Sequence, residues 1–381
     1  MGFTKQTLEY AESKAALCVA NDSIPEDSFR EFGVKRGLRD VNGQGVPTGL
    51  TNISKIISFR EENGSRVPCD GEIWYRGYNV RDLVRRYVSR SFGFERTAYL
   101  LLFGELPTED QTREFISTIA KNRSLPTNFT RDVIMKAPTR DIMSSMTRSI
   151  LTLASYDKHA ASTDLPNSLR QCILLMATFP MLAVYAYHAY NHYEKHESMY
   201  IHRPDPACST AENFLKMLRP DRKYTEVEAK VLDVALMLHM EHGGGNNSTF
   251  TTRVITSSGS DTYATIAAAM SSLKGPRHGG ANIKVMEMMR NIRNNISDWK
   301  DEDEIRRYLS DMLDGKVFDK KGLIYGMGHA IYSVSDPRER IFKEFVLKLA
   351  EAKGRQKELA LYEAIEKLAP EVIPEKRHIF K

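Results

Sequence analysis

Residues Cys172–Tyr190 read CILLMATFPMLAVYAYHAY, a run of 19 residues without a charge. A run of that length nearly matches the hydrocarbon thickness of a bilayer, and it is equally the mark of a helix buried on all sides in a large helical core. Three features favour the second reading. Thr178, Pro180 and His188 interrupt the apolar run, no second such run occurs, and a single anchor rarely sits in mid-domain. The expectation is a soluble protein with this helix inside it and no membrane partner.

On both sides of this run the apolar spacing is three and four, the period of a helix with one buried face. Val80–Val88, Phe94–Phe103, Thr108–Asn122 and Met143–Ser155 all show it. Thr108, after Leu106-Pro107, is placed to cap its helix. Thr225–Met240 repeats Val227, Val231, Val234, Leu236 and Leu238, and Asp261–Leu273 stops at Lys274-Gly275-Pro276. Asp336-Pro337-Arg338-Glu339 opens another helix, with Asp as cap, Pro at the first position and Glu reaching back. Its apolar face is Ile341, Phe342, Phe345, Val346 and Leu349, and Gly354 closes it. Strand signals are confined to the N-terminal third, where Ile53–Phe59 and Arg66–Tyr75 flank the turn pair Asn63-Gly64. The fold class is mainly α with a small N-terminal β hairpin.

The chain has 381 residues, 41% hydrophobic and 27% charged, which excludes disordered and low-complexity classes and suggests two domains or one large one. The net charge of +5 is spread rather than clustered. It argues against a nucleic-acid partner and is compatible with small anionic substrates. Cys18, Cys69, Cys172 and Cys208 form no C-x-x-C pair, so they read as reduced thiols of a cytoplasmic protein. Glu9, Glu12 and Asp22, with no apolar core between them, argue against a secretory signal or a transit peptide.

The histidines carry the chemistry. His159, His188, His192, His196 and His202 cluster around the uncharged run and read as surface or packing residues, and His378 lies near the C-terminus. Four others stand beside glycines: His239 and His242 in LHMEHGGGNNSTF, His278 in KGPRHGGAN, and His329 in GMGHAIYSVSDPR. Glycine lets a ligand approach the backbone. A helix N-terminus disfavours imidazolium, and a neutral imidazole can donate to a carbonyl and stabilise an enol or alkoxide. One histidine in a glycine-rich loop is more often structural, but His242, His278 and His329 together point to carbonyl chemistry. His239 and His242 are three apart, whereas a zincin helix needs four, so no metal is expected. Gly326-x-Gly328 lacks a third glycine and a preceding strand, which makes a dinucleotide fold a weak reading, and neither a P-loop nor G-x-S-x-G is present.

Taken in order, the motifs resemble the citrate synthase family, which condenses an acyl-CoA with a 2-oxo acid. The likeness runs through GLRDVNGQGVPTGLTNISKI, EIWYRGYNVRDL, LPTEDQ, AENFLKML, LHMEHGGGNNSTFTTRV, GSDTYATIAAAMSSLKGPRHGGAN and GMGHAIYSVSDPR, over roughly residues 37–381. It implies a two-domain helical fold, with residues 1–36 an extension, 37–279 a large domain and 280–381 a small domain that closes over the cleft. The large domain would carry a homodimer interface. By the same resemblance His278 would hold the thioester carbonyl of acetyl-CoA, and His329 would polarise the ketone of oxaloacetate. His242 and Arg338 would bind its carboxylates. Leu323, Ile324, Gly326 and Gly328 would line the coenzyme A adenine site. Lys320 and Lys321 would reach its phosphates, solvated charge being the alternative. The coenzyme A thioester is then a co-substrate, and no cofactor is held permanently.

The chain departs from the family pattern twice. Ser333 stands where the family carries a longer, often basic residue that can touch coenzyme A phosphate. The family's catalytic base, an aspartate, lies in an N-V-D-like motif beyond a segment like APEVIPEKRHIFK, and the sequence stops at Lys381 before it. Two further arginines of the family lie in that tail, and Asp311, Asp314 and Asp319 have no claim to the base. The expectation is a C-terminally truncated chain with little activity, whose full-length form is a citrate synthase-type acyltransferase of the tricarboxylic acid cycle. The alternatives are a 2-methylcitrate synthase using propionyl-CoA and a non-catalytic binding protein on the same scaffold. The three retained histidines argue against the last.

Overall fold

The computed structural model describes residues 14, 25–33, 50–329 and 331–377. Cys18, His378, the acidic residues of the N-terminus, the motif residues 37–49 and most of the 1–36 extension lie outside these. Backbone packing divides the chain into two compact units, 1–49 and 50–381. In the first, α1 spans Glu26–Glu31.

The second unit begins with a sheet in the order β1-β2-β3: β1 (Ser54–Glu62), β2 (Ser65–Tyr75) and β3 (Tyr78–Asn79), each pair antiparallel. Asn63 and Gly64 turn the first hairpin with φ of 51° and 72°, the left-handed geometry that a two-residue turn demands. The hairpin expected from sequence is there, extended by the two residues of β3. Its register then slips. Ile57 faces Glu72 but Phe59 faces Pro68, so Ser58 alone stands opposite Cys69, Asp70 and Gly71. This bulge releases Asp70 and Gly71 from β1, and Asp70 bridges instead to Ser335.

Helices follow: α2 (Val80–Tyr87), α3 (Gly93–Phe103), α4 (Glu109–Lys121), α5 (Ile142–Ala154), α6 (Leu165–Lys195), α7 (Thr210–Leu218), α8 (Glu226–Leu238), α9 (Asn247–Ser257), α10 (Thr262–Leu273), α11 (Ala281–Asn295), α12 (Glu302–Leu313), α13 (Pro337–Ala352) and α14 (Gln356–Arg377). A π-helical turn, Thr130–Ile134, precedes α5. Thr108 caps α4 as expected, in a reciprocal box with Gln111. At α13 the expected box takes another form. Asp336 accepts from the Arg338 backbone N–H, its carboxylate is also held by the Arg338 guanidinium, and Glu339 makes no return bond to the Asp336 N–H.

The uncharged run lies within α6. Among the described residues α6 is the one helix long and apolar enough to span a membrane, and over half of its apolar window is buried in protein. Leu175, Leu182, Tyr185 and Ala189 pack with Ile150 and Leu153 of α5, Met217 of α7 and Tyr263 of α10. His188 is a packing residue, buried and donating from Nε2 to the Met217 carbonyl at 3.1 Å. A second cluster joins Ile73 and Tyr75 of β2, Leu83 of α2, Val234 and Met237 of α8, and Ile341 and Phe345 of α13. A third joins α11, α12 and α14 through Ile292, Leu309, Leu361 and Leu368.

Among the described residues the charged side chain buried most completely is a glutamate. Glu95 of α3 accepts from the Thr210 backbone N–H (2.7 Å), the Thr210 hydroxyl (2.8 Å) and Arg123 Nη2 (3.3 Å). Burial raises its pKa, and Thr210 and Arg123 oppose the rise. Arg123→Ala strands this carboxylate in the core. The expected loss is about 3–5 kcal/mol of unfolding free energy, read by urea denaturation, and a variant as stable as the parent would contradict the assignment.

Candidate active site

Three separated segments bring His242, His329 and Arg338 together: β2, the loop after α8, and residues 323–338. Tyr75, at the end of β2, is fully buried and donates its hydroxyl to the Glu241 carbonyl at 3.1 Å, just past the end of α8. Glu241 in turn accepts from Ser54 Oγ (3.0 Å) and the Gly243 N–H (2.5 Å). The hairpin thereby fixes the backbone on both sides of His242.

The loop before α13 docks on the bulge of β2. Gly71 N donates to Ser335 Oγ (3.2 Å), and Ser335 Oγ donates to Asp70 (2.9 Å), which also pairs with Arg340 at 3.0 Å. The approach is close enough to require glycine, since a Cβ on residue 71 would collide first with the Ser335 backbone carbonyl and would also lie 2.6 Å from the Tyr332 ring. Tyr332 is buried there.

This docking brings His242, His329 and Arg338 together. The two imidazole centroids are 5.3 Å apart, and the Tyr332 ring lies 5.4 Å from His242 and 4.9 Å from His329. His242 Nε2 is 3.2 Å from the Tyr332 hydroxyl. His329 Nδ1 accepts from two backbone N–H groups, those of Ile331 (3.0 Å) and Tyr332 (3.2 Å). Its proton therefore sits on Nε2, free to be donated. Arg338 grips Asp336 in bidentate fashion through Nε (3.0 Å) and Nη2 (2.7 Å).

The electrostatics keep the imidazoles neutral. Burial, the Arg338 charge and the neighbouring His329 push His242 down to about 4. Burial and Arg338 also lower His329, outweighing the attraction of Asp336. Burial and the Asp336 charge raise the Tyr332 phenol to about 12, so it keeps its proton. Burial opposes ionisation of Asp336, but Arg338 holds its carboxyl below the ordinary range.

His278 is held by another partner. Its Nε2 lies 3.0 Å from Ser248 Oγ, and Ser248 Oγ lies 3.0 Å from the Ala269 carbonyl of α10. A hydroxyl has one proton for these two neighbours. With the proton on Ala269 O, His278 donates from Nε2. With it turned to Nε2, the histidine's own proton moves to Nδ1. Ser248 thus supports either neutral tautomer.

Of the other residues expected at the site, Ile324 is buried in the α11–α12–α14 cluster, so only its backbone can meet a ligand, whereas Leu323 is 52% exposed. Gly326 and Gly328 have left-handed φ of 89° and 81°, and Lys320 and Lys321 are exposed. His239 turns back on its own helix, Nδ1 donating to the Ala235 carbonyl at 2.6 Å. Among the described residues no group of three His, Cys, Asp or Glu could hold a metal ion. Sequence reasoning gave Ser248, Tyr332 and Gly71 no role. Ser248 and Tyr332 lie inside the histidine motifs, six residues after His242 and three after His329. Gly71 carried no local signal, because the partner that demands it is 264 residues away.

Neutral imidazoles gathered beside an arginine on a mainly helical fold have the chemistry to hold and polarise an anionic carbonyl compound. The family model described as "Citrate synthase, C-terminal domain" matches residues 38–380, and the chain belongs to the citrate synthase family. It is 34% identical over 280 residues to a 2-methylcitrate synthase of Shewanella oneidensis, covering 72% of this chain and 66% of the relative. To a citrate synthase of Synechocystis it is 31% identical over 334 residues, covering 87% and 75%. The citrate synthase structure from Pyrobaculum aerophilum aligns over 88% of this chain and 78% of its own, with 27% identity and a TM-score of 0.67. The Thermoplasma acidophilum citrate synthase, solved with carboxymethyl coenzyme A and oxaloacetate, shares the fold at a TM-score of 0.71 and 24% identity, over 87% and 79%. The chain thus spans about two thirds to four fifths of the length of these proteins.

The lowered His242 pKa fixes a sign. In the unfolded chain imidazole protonates near 6.5, but in the fold it does so only near 4. Protons therefore bind the unfolded state first, and stability falls as pH drops from about 6.5 towards 4. His242→Asn should flatten that limb in denaturation curves at pH 7 and pH 5. An equally steep limb in the variant would contradict the assignment.

Proposed function

We propose that the protein condenses acetyl-CoA with oxaloacetate and water to give citrate and coenzyme A. The observation that carries this reading is the pair of neutral histidines beside Arg338. The Arg338 fork suits a carboxylate, which would take over from Asp336, and His242 would assist it. His329, with its proton on Nε2, would donate to the ketone and make its carbon electrophilic. His278 would donate to the thioester carbonyl as the acyl α-carbon passes its proton to a water molecule, stabilising the enol. If it does so from Nδ1, Ser248 supplies the matching proton at Nε2. The enol carbon then attacks the polarised ketone, and water cleaves the resulting thioester, releasing coenzyme A as the thiol. Among the described residues Glu241 is committed to Ser54 and Gly243, and Asp336 to Arg338 until a substrate carboxylate displaces it.

The exposed loop with Leu323, Gly326 and Gly328, flanked by Lys320 and Lys321, is the proposed coenzyme A surface, with Ile324 contributing backbone. The proposed domain division assigns the α11–α12–α14 cluster to a smaller body. Helix α13 bridges from it, since its Ile341 and Phe345 pack with α8 and β2. A cytoplasmic homodimer with no permanent cofactor completes the reading, and exposed Leu151 on α5 offers apolar surface for a second copy. Propionyl-CoA is the second acyl donor to consider, because 2-methylcitrate synthases are among the relatives. One methylene is worth about 1–3 kcal/mol, so the ratio of kcat/KM for the two thioesters decides between them.

Two measurements test the reading: oxaloacetate binding by calorimetry, and thiol release from acetyl-CoA that depends on oxaloacetate. His278→Ala should lower the rate by about 10²–10⁴. Arg338→Lys should weaken oxaloacetate at least about tenfold, since it removes the bidentate fork. A chain that binds no oxaloacetate would contradict the proposal.

A further inference from the structure

We infer that Tyr332 is a positioning residue that joins His242 and His329 into one unit, through its hydroxyl to the first and its backbone N–H to the second. Two hydrogen bonds and one packing contact carry this inference. The hydroxyl stands 3.2 Å from His242 Nε2. The backbone N–H donates to His329 Nδ1 at 3.2 Å, which keeps the His329 proton on Nε2. The ring between these two groups is buried and seated on Gly71, where a Cβ would overlap it. Each of the three contacts faces a different element: the loop after α8, the loop before α13, and β2.

The consequence is directional. A ring fixed on Gly71 has little freedom, so its hydroxyl defines where the His242 imidazole plane can lie. The His329 ring, tilted 36° to the Tyr332 ring at 4.9 Å, is set by the same residue. Neither imidazole can reorient without breaking a bond to residue 332. On the 2-oxo acid reading of the site, on which the kinetic part of this inference rests, the two carbonyl-facing groups are presented as a rigid pair. Losing the hydroxyl frees His242 alone.

The experiment is Tyr332→Phe, which keeps the ring on Gly71 and removes only the hydroxyl. The readouts are imidazole ¹⁵N chemical shifts, assigned with His242→Gln and His329→Gln, and steady-state kinetics. The ¹⁵N signals of His242 should move while those of His329 stay, because backbone N–H groups hold His329. KM for oxaloacetate should rise about three- to tenfold with a smaller change in kcat, as expected for one hydrogen bond. Gly71→Ala, which displaces both the Ser335 backbone and the Tyr332 ring, should move both histidines. Unmoved His242 signals in Tyr332→Phe would overturn the inference, and so would joint movement of both histidines in that variant. The ¹⁵N arm needs no substrate. Moved His242 signals in a protein that does not bind oxaloacetate would uphold the positioning role and refute the proposed function instead.

Discussion

The bulge in β2 is the constraint on which the site depends. Three residues, Cys69 to Gly71, stand opposite Ser58 alone, so the strand cannot satisfy them from β1. Asp70 and Gly71 take Ser335 instead, and the loop that carries His329, Tyr332 and Asp336 is drawn against the hairpin. Helix α13 then begins where that loop ends, capped by Asp336, and its Ile341 and Phe345 enter the same apolar cluster as Ile73 and Tyr75 of β2. Polar docking and apolar burial thus hold the same two segments together. A side chain at residue 71 would separate them at the point where Tyr332 sits.

Charge follows from this packing. Desolvation lowers the pKa of both His242 and His329, and the fixed guanidinium of Arg338 lowers them further. The same positive group that suits an anionic substrate therefore keeps its neighbours neutral. A neutral imidazole whose Nδ1 is occupied by backbone donors can give only its Nε2 proton, which is the polarity a carbonyl requires. Asp336 holds Arg338 in place through two hydrogen bonds and, in doing so, occupies the fork that a substrate carboxylate would use.

Much of this was legible in the sequence, where local rules apply. The Asn63-Gly64 turn, the Thr108 cap, the end of α10 before Lys274-Gly275-Pro276, and the buried character of Cys172–Tyr190 follow from residue type and spacing, and the structure contains each. The histidines marked by neighbouring glycines are likewise where His242 and His329 meet. The missed site residues share one physical origin. Tyr332, Ser248 and Gly71 are defined by partners far away in the chain, and neither periodicity nor capping records such partners. Helix α14 was missed for another reason. Pro370 and Pro374 lie within it and mask its period, although Leu361, Ile365 and Leu368 are buried. The expected return bond from the Asp336 backbone N–H to Glu339 is not formed, and the carboxylate of Asp336 pairs instead with the Arg338 guanidinium.

On the proposed function His242, His329 and Arg338 would form one receptor for a 2-oxo dicarboxylate, and His278 would hold the thioester. The most direct test is a crystal structure with oxaloacetate and a non-hydrolysable acetyl-CoA thioether bound. The account predicts the oxaloacetate carboxylate in the Arg338 fork in place of Asp336. It also predicts the ketone oxygen within hydrogen-bond distance of His329 Nε2, and the acyl oxygen at His278. Oxaloacetate bound away from Arg338, or with its ketone turned from His329, would contradict it.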